Sequence, residues 1–389
     1  MRLGLTYDLQ TDPVDERQAE FDPPRTIEAL TAALESLGHV VVPIGDAASL
    51  RAWLRANPSV DLVFNIAEGF GGRCRESIVP ALLEQAGVPY IGSGPAALAL
   101  GLDKLMAKRL AVACGVSTPR WMQMELSPSH VWQGLPLRHP TTWRCRLWRR
   151  CAQRTARWAH ARWWDHPVRP RPATIAPVLR ADGGPGSVSP ATRDYLSFPV
   201  ILKPRWEGSG IGIDEDAVVY DQSSLEQRAH HLWSRWTEPL LIEAFIDGGE
   251  LTVLVIGNDP PMAYPPIQRP IDVRTRLACH VVRHSDAWDA PLTLTKELEA
   301  TACQAAVAVF EAVGCRDMAR VDFRVDADGR AWFLEINPLP SFDPEGTFGL
   351  LAESLGLTYA QLIGRVLDAA IARNHQSPHS KIQINSNQQ

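Results

Sequence analysis

Near the end of the chain stand Arg320-Val321-Asp322 and Glu335-Ile336-Asn337. In an extended strand, residues i and i+2 point the same way. Arg320 and Asp322 therefore share one face of a strand, and Glu335 and Asn337 share one face of the next. Pairing the strands brings two carboxylates, an amide oxygen and a guanidinium together. Hard oxygen donors such as Asp322, Glu335 and Asn337 suit Mg²⁺, which proteins hold with few carboxylates plus substrate phosphates. Arg320 then stands where it could stabilise charge developing on a phosphoryl or tetrahedral oxygen. An exposed hairpin with ordinary polar outward residues would read the same way.

Other groups point to nucleotide chemistry. Lys203-Pro204 is followed by Glu207-Gly208-Ser209-Gly210-Ile211-Gly212, with three glycines in its last five residues. Such a loop lets backbone N–H groups approach phosphates, while a lysine at a strand end neutralises charge. The spacing matches neither the P-loop nor the dinucleotide-binding turn, and a flexible hairpin loop is the alternative. An apolar strand from Leu240 delivers Glu243, then Phe245 and Ile246, ahead of Glu250. A carboxylate there suits an adenine pocket: it accepts from the exocyclic amine, the backbone after it reads the ring edge, and Glu250 holds ribose hydroxyls. A salt-bridged strand end accounts for any one of these acids alone. Lys104 opens a helix after Gly92-Ser93-Gly94, within reach of phosphates or simply solvated.

The elements that must position these residues are legible. Residues 1–100 alternate strand and helix: strands at Leu3–Tyr7, His39–Ile44, Asp61–Ile66 and Val88–Ile91, with helices at Thr26–Leu37, Ser49–Ala56 and Ser77–Ala86. Ser49 reads as an N-cap and Gly87 as a C-terminal stop. This order argues for a parallel open sheet with helices on both faces. A helix over Asp103–Cys114 follows. After Phe198 come strands at Phe198–Pro204, Pro239–Phe245 and Glu250–Ile256, with helices at Ser224–Trp236 and Thr295–Val313. Ala319–Val325 and Ala331–Ile336 form a hairpin across Asp326–Gly329, and Tyr359–Ala372 is an amphipathic helix. The fold class is thus α/β and α+β.

Between Trp121 and Ser197 lie twelve arginines, no lysine, four acids, nine prolines and seven of the thirteen tryptophans. One reading is a basic, aromatic nucleic-acid-binding insertion; others are a lineage-specific insertion, an irregular lid, or a stretch outside a functional reading frame. The whole chain, at net charge −5, has no general pull toward nucleic acid or anionic membrane. It contains no apolar run of about 18 residues, so no membrane span is expected. The opening residues read as a strand rather than a signal peptide. Seven scattered cysteines with no CxxC pair indicate neither a zinc site nor a disulfide framework, so a reducing cytoplasm is expected.

The pieces occur in the order found in the D-alanine–D-alanine ligase branch of the ATP-grasp superfamily, which this chain resembles. The resemblance is carried by residues 88–94, 102–104, 198–204, 207–212, 242–246, 248–253, 320–323 and 334–338, within about three quarters of the chain. It implies an ATP-grasp fold behind an N-terminal open α/β (preATP-grasp) domain. The expected division is 1–100, 101–247 carrying the 121–197 insertion, 248–373, and a disordered tail from 374. The resemblance places Lys104 and Lys203 on phosphates, and Glu243, Phe245, Ile246 and Glu250 on adenosine. It places Asp322, Glu335 and Asn337 on two Mg²⁺ ions, with Mn²⁺ an alternative. Arg320 and the backbone after Pro340 would stabilise a tetrahedral intermediate, Ser209 would orient substrate, and Glu20 would anchor an amino group. Amino-acid-like substrates, a homodimer and a lid at 264–285 are implied as well.

The departures concern substrate. The segment after Asn337 carries Ser341 where the family has glycine. A serine-leucine pair falls near Gly346-Thr347, and a histidine is replaced near Asn65–Gly69, where Glu68 stands. A lid lysine-tyrosine pair is absent, with Arg274 and Arg276 the nearest substitutes. The expectation is an ATP- and Mg²⁺-dependent carboxylate–amine ligase acting through an acyl phosphate, on substrates that need not be two D-alanines. The alternatives are another ATP-grasp class or a non-catalytic nucleotide-binding protein.

Overall fold

The computed structural model describes residues 1–56, 59–124, 196–236, 238–282 and 285–376. The Arg/Trp-rich stretch expected at 121–197 lies almost wholly outside the described residues, as does the polar tail past Gln376.

β1 (Arg2–Thr6), α1 (Pro24–Ser36), β2 (Val40–Gly45), α2 (Ala47–Arg55), β3 (Leu62–Asn65), α3 (Ile78–Ala86) and β4 (Tyr90–Ile91) alternate as expected. The strands pair in the order β2-β1-β3-β4, all parallel. β3 is buried along its whole length, as its Leu-Val-Phe run requires of a strand covered on both faces. α3 ends where Gly87 turns left-handed, at φ 64°. Ser49 does not cap α2. Asp46 does, its carboxylate accepting from the Ser49 N–H at 2.8 Å, which leaves Ser49 inside the first turn.

Two helices follow where the sequence suggested one. α4 (Pro95–Leu102) begins with proline at its first turn, and α5 (Lys104–Ala113) begins after Asp103. The Asp103 carboxylate accepts from the N–H groups of Leu105 and Met106, each at 3.1 Å. That cap breaks the chain between the helices and fixes Lys104 in the first turn of α5.

The central sheet contains β5 (Trp121–Met124), β6 (Val200–Pro204), β7 (Val218–Val219) and, after α6 (Gln222–Arg235), β8 (Leu240–Ala244). It is antiparallel in the order β5-β8-β6-β7. α6 buries Leu225, Ala229 and Leu232 against Val200, Leu202, Leu240 and Ile242.

β9 (Gly249–Ile256), β10 (Met262–Ala263) and β11 (Ile267–Arg269) are followed by a small ribbon of β12 (Ile271–Asp272) and β13 (Trp288–Asp289). Next come α7 (Lys296–Val313), β14 (Met318–Val325), β15 (Ala331–Asn337), α8 (Thr347–Ser354) and α9 (Tyr359–Gln376). β10-β9-β14-β15 is antiparallel, with β11 also on β9. Strand alternation sorts its side chains. Val253, Val255, Ala319, Val321 and Phe323 pack toward α5 and α7. Leu254, Ile256 and Met318 share a core with β1, β3 and α9. The face carrying Met318 also carries Arg320 and Asp322. One edge of this sheet is thus polar where the apolar cores stop.

Candidate active site

The β14–β15 register sets Arg320 opposite Asn337 and Asp322 opposite Glu335. The four side chains meet as the i, i+2 spacing implied. Arg320 Nε donates to Asp322 Oδ2 at 3.0 Å, and Asn337 Nδ2 donates to the same oxygen at 3.3 Å. Thr252 of β9 donates to Asp322 Oδ1 at 2.8 Å. Glu335 lies 3.1 Å from Lys104 Nζ. Burial would raise the Glu335 carboxyl, but Lys104, Lys203 and Arg320 together hold it well below the usual range. Burial works against the Arg320 guanidinium, yet Asp322 and Glu335 keep it above its ordinary value.

Two cavities flank this cluster. The smaller, about 70 Å³, lies between the central and C-terminal sheets and receives Lys203, Glu243, Phe245, Ile246, Glu250 and Asp322. The larger, about 260 Å³, opens toward the N-terminal sheet and receives Glu20, Lys104, Ser209, Arg320 and Asn337. Glu335 lines both. Every residue given a catalytic, nucleotide-binding or metal role in the sequence therefore lines one of the two spaces. Two carboxylates and an amide oxygen on neighbouring strands are a donor set that fits a hard divalent cation completed by substrate oxygens.

In the smaller cleft, Glu243 has no accessible surface. It stands between Lys203, at 2.7 Å, and Lys108, a residue the sequence reading passed over. Burial would raise Glu243, but Lys108 and Lys203 hold it down. Burial pulls Lys108 down to about 8 despite Glu243, whereas Lys203 stays raised against burial because Glu243 and Glu335 both face it. A signal for Lys108 existed: it is one helical repeat after Lys104, on the same face of α5. Glu250 faces Arg324 and His280, each at 3.6 Å.

The glycine-rich loop is held from the N-terminal side. Gly208 N–H donates to Glu20 Oε1 at 2.9 Å. A Cβ at Gly208 would sit 2.3 Å from that oxygen, so the contact needs glycine. Ser209 adopts φ 48°, a conformation costly for a residue with a side chain. Glu20 is gripped by Arg75, with Nε–Oε2 at 2.9 Å and Nη2–Oε1 at 2.7 Å. Arg75 also donates to the Trp206 carbonyl at 3.0 Å.

The departing positions fall around the same spaces. Ser341 and Glu68 line the larger cavity. The Thr347 hydroxyl accepts from Arg269 at 2.5 Å. Arg274 pairs with Glu215, and Arg276 with Asp247 at 3.0 Å. Asp22 and Glu76 also line the larger cavity and were not anticipated. Burial, reinforced by Asp343 and Asp8, pushes the Asp22 carboxyl up to about 7. Burial, reinforced by Glu20, pushes Glu76 up to about 8, and Glu68 is raised by burial and by Glu76.

Two antiparallel sheets enclosing an acid- and lysine-lined cleft, with a glycine-rich loop on the adjoining cavity, make an ATP-grasp fold. Residues 183–368 match the family model described as D-ala D-ala ligase C-terminus. A D-alanine–D-alanine ligase of Synechococcus sp. (strain JA-3-3Ab) is 29% identical over 355 residues, covering 90% of this chain and 88% of that protein. An uncharacterized protein of Sinorhizobium fredii is 28% identical over 361 residues, with the same coverage of each. The D-alanine–D-alanine ligase of Bacillus anthracis complexed with ATP superimposes with a TM-score of 0.62 at 19% identity, over 97% of this chain and 99% of that one. The chain is thus similar to D-alanine–D-alanine ligases over about nine tenths of its length, and it has their ATP-grasp fold. Among the described residues no helix is long and apolar enough to cross a membrane.

Proposed function

We propose that this protein uses ATP and Mg²⁺ to activate a substrate carboxylate as an acyl phosphate and joins it to the amine of a second amino-acid-like substrate. The observation that carries the reading is Glu335, which lines both cavities and is ringed by Lys104, Lys203 and Arg320. A reaction between ATP and a second substrate needs such a junction.

ATP occupies the smaller cleft in this reading. Glu243 fixes Lys203 beneath it, the backbone at Phe245 and Ile246 meets the base, and Glu250 meets the ribose. Lys104 and Lys203 face the phosphates. Asp322, Glu335 and Asn337 would hold Mg²⁺, which supplies charge neutralisation on the phosphates during transfer. The substrate carboxylate attacks the γ-phosphorus from the larger cavity, the bond to the β,γ-bridging oxygen breaks, and ADP leaves. The amine then attacks the acyl phosphate, and Arg320 and the backbone at Ser341 stabilise the oxyanion before phosphate leaves. Glu20 and Ser209 orient the substrate. Leu277, Ala278, His280 and Val281 of the 264–285 segment line the nucleotide cleft, which supports its role in keeping water from the acyl phosphate.

Three units divided near 100 and 247 belong to the same proposal, supported by sheets whose strands fall within 2–91, 121–244 and 249–337. A homodimer, on the strength of the family resemblance, and a reducing cytoplasm, on the strength of the scattered cysteines, complete it. The test is phosphate release from ATP and Mg²⁺ across single and paired D- and L-amino acids, with product masses. Release stimulated by a specific pair, with a product one water lighter than their sum, is expected. ATP binding without stimulation by any pair would overturn the reading.

A further inference from the structure

The larger cavity is lined by more carboxyl groups than the chain pairs with cations. Six carboxylates line it: Glu20, Asp22, Glu68, Glu76, Glu335 and Asp343. Three are matched by cations of this chain: Glu20 by Arg75 at 2.6 Å, Glu335 by Lys104 at 3.1 Å, and Asp343 by Arg25 at 2.9 Å. Among the described residues, no hydrogen bond or ion pair contacts the carboxylates of Asp22, Glu68 or Glu76; Arg75 acts on Glu68 and Glu76 and Lys104 on Glu76 from further off, and burial outweighs both. Asp22 and Glu76 are nevertheless only 7% exposed. Buried carboxylates with no partner are costly unless something arrives to pair them.

Two candidates could do so. A metal ion held by the chain alone needs several donors converging on one point, and among the described residues no three acids, histidines or cysteines do so; the pair Asp322 and Glu335 relies on substrate phosphates to complete its set. Ammonium and guanidinium groups instead carry several N–H donors that can reach separated acceptors. The α-ammonium of an amino acid falls to Glu20 in the ligase reading, which leaves Asp22, Glu68 and Glu76 open to a further cation.

We propose that an amino-acid substrate of this enzyme carries a second positive charge, a side-chain ammonium or guanidinium, received by the wall of Asp22, Glu68 and Glu76. The proposal rests on the ligase reading above and names its substrate class. A neutral side chain such as that of alanine would leave these carboxylates buried and unanswered. The raised carboxyls of Asp22 and Glu76 agree, since they release their protons readily only when a cation is beside them.

The test is calorimetric titration of the whole chain, with Mg²⁺ and the non-hydrolysable analogue AMP-PNP present. The ligands are lysine, ornithine and arginine in both stereochemistries, against norleucine as a neutral side chain of lysine's length. At least one basic amino acid is expected to bind ~10-fold or more tighter than norleucine. Glu76→Gln and Asp22→Asn are expected to cut that ratio to about threefold or less, while AMP-PNP binding holds steady and confirms folding. Equal binding of basic and neutral ligands, or no amino-acid binding at all, overturns the proposal. So does a Glu76→Gln variant that loses Mn²⁺ affinity and keeps the ligand ratio. Phosphate release run in parallel separates the two readings. Release driven only by neutral pairs sinks the charge inference and leaves the ligase. Preferential binding of basic amino acids with no release sinks the ligase and leaves the charge inference.

Discussion

In the smaller cleft every lining acid has a cation of the same chain beside it. Glu243 has Lys108 and Lys203, Glu250 has Arg324, Asp322 has Arg320, and Glu335 has Lys104. In the larger cavity, among the described residues, Asp22, Glu68 and Glu76 make no direct ion pair, and Arg75 and Lys104 act on the two glutamates only from further off. The first space is assembled before its ligand comes. A nucleotide is the same molecule in every cycle, so its site can be rigid and internally balanced. The second space keeps its charge open, and charge left open is what a varied substrate can answer. Specificity would then sit where pairing is incomplete, because leaving a buried polar group unsatisfied discriminates more strongly than adding one more contact.

The largest effect expected is at the residue both spaces share. Glu335→Ala should lower ATP-dependent turnover by at least ~10³-fold, in line with losing a group that holds phosphoryl charge. Folding should persist with some loss of stability, since Lys104 loses its ion-pair partner, and AMP-PNP-free urea unfolding checks that the variant is folded. Turnover near that of the wild type would remove Glu335 from the reaction.

The comparison predicts opposite stability responses on its two sides. Glu243→Ala strands Lys108 and Lys203 together without surface access, and breaking such a buried pair costs about 3–5 kcal/mol. Glu76→Gln removes a carboxylate that has no partner and should cost nothing, or stabilise the free protein at pH 8. Urea unfolding of both variants reads this directly. Equal losses would mean that Glu76 has a partner after all.

A pH series sharpens the same point. The Asp22 carboxyl stands at about 7 in the folded chain against 3.8 ordinarily, raised by burial, Asp343 and Asp8. Between those values the folded state binds a proton that the unfolded state has released. Stability from this group is therefore full below about pH 4 and falls as pH rises to about 7, by ~4 kcal/mol. The difference in unfolding free energy between wild type and Asp22→Asn, measured at pH 5 and pH 8, should move in Asn's favour at the higher pH. No movement would place Asp22 in an ordinary solvated setting.

Local signals made much of this readable from the sequence. Period-two spacing placed Arg320, Asp322, Glu335 and Asn337 on one face, and the register confirms that placement. Gly87 and Gly314 marked helix ends that are left-handed. What stayed hidden depends on contacts across the fold. Asp46 and Ser49 are both good caps, and only the backbone path decides between them. α4 is apolar all round, so it has no stripe for periodicity to find. Lys108 lay on a visible helical face, but its partner Glu243 arrives from another sheet. That Asp22 and Glu76 lack partners is a property of the space around them, and no spacing along the chain encodes it.

The smallest effect tests whether pairing itself or burial separates the two regions. Arg274 and Glu215 join the 264–285 segment to the turn beside the nucleotide cleft, with side chains 71% and 53% exposed. Water already solvates both, and salt screens them. Arg274→Ala should therefore change unfolding free energy by no more than about 0.5 kcal/mol, and less at high salt. Its nearness to the cleft makes no difference to that figure; the balance that matters lies beneath the cleft, where Glu243 holds two lysines out of water. A loss above about 2 kcal/mol would show that pairs at the rim carry stability as well. The contrast would then be between paired and unpaired acids, with depth counting for little.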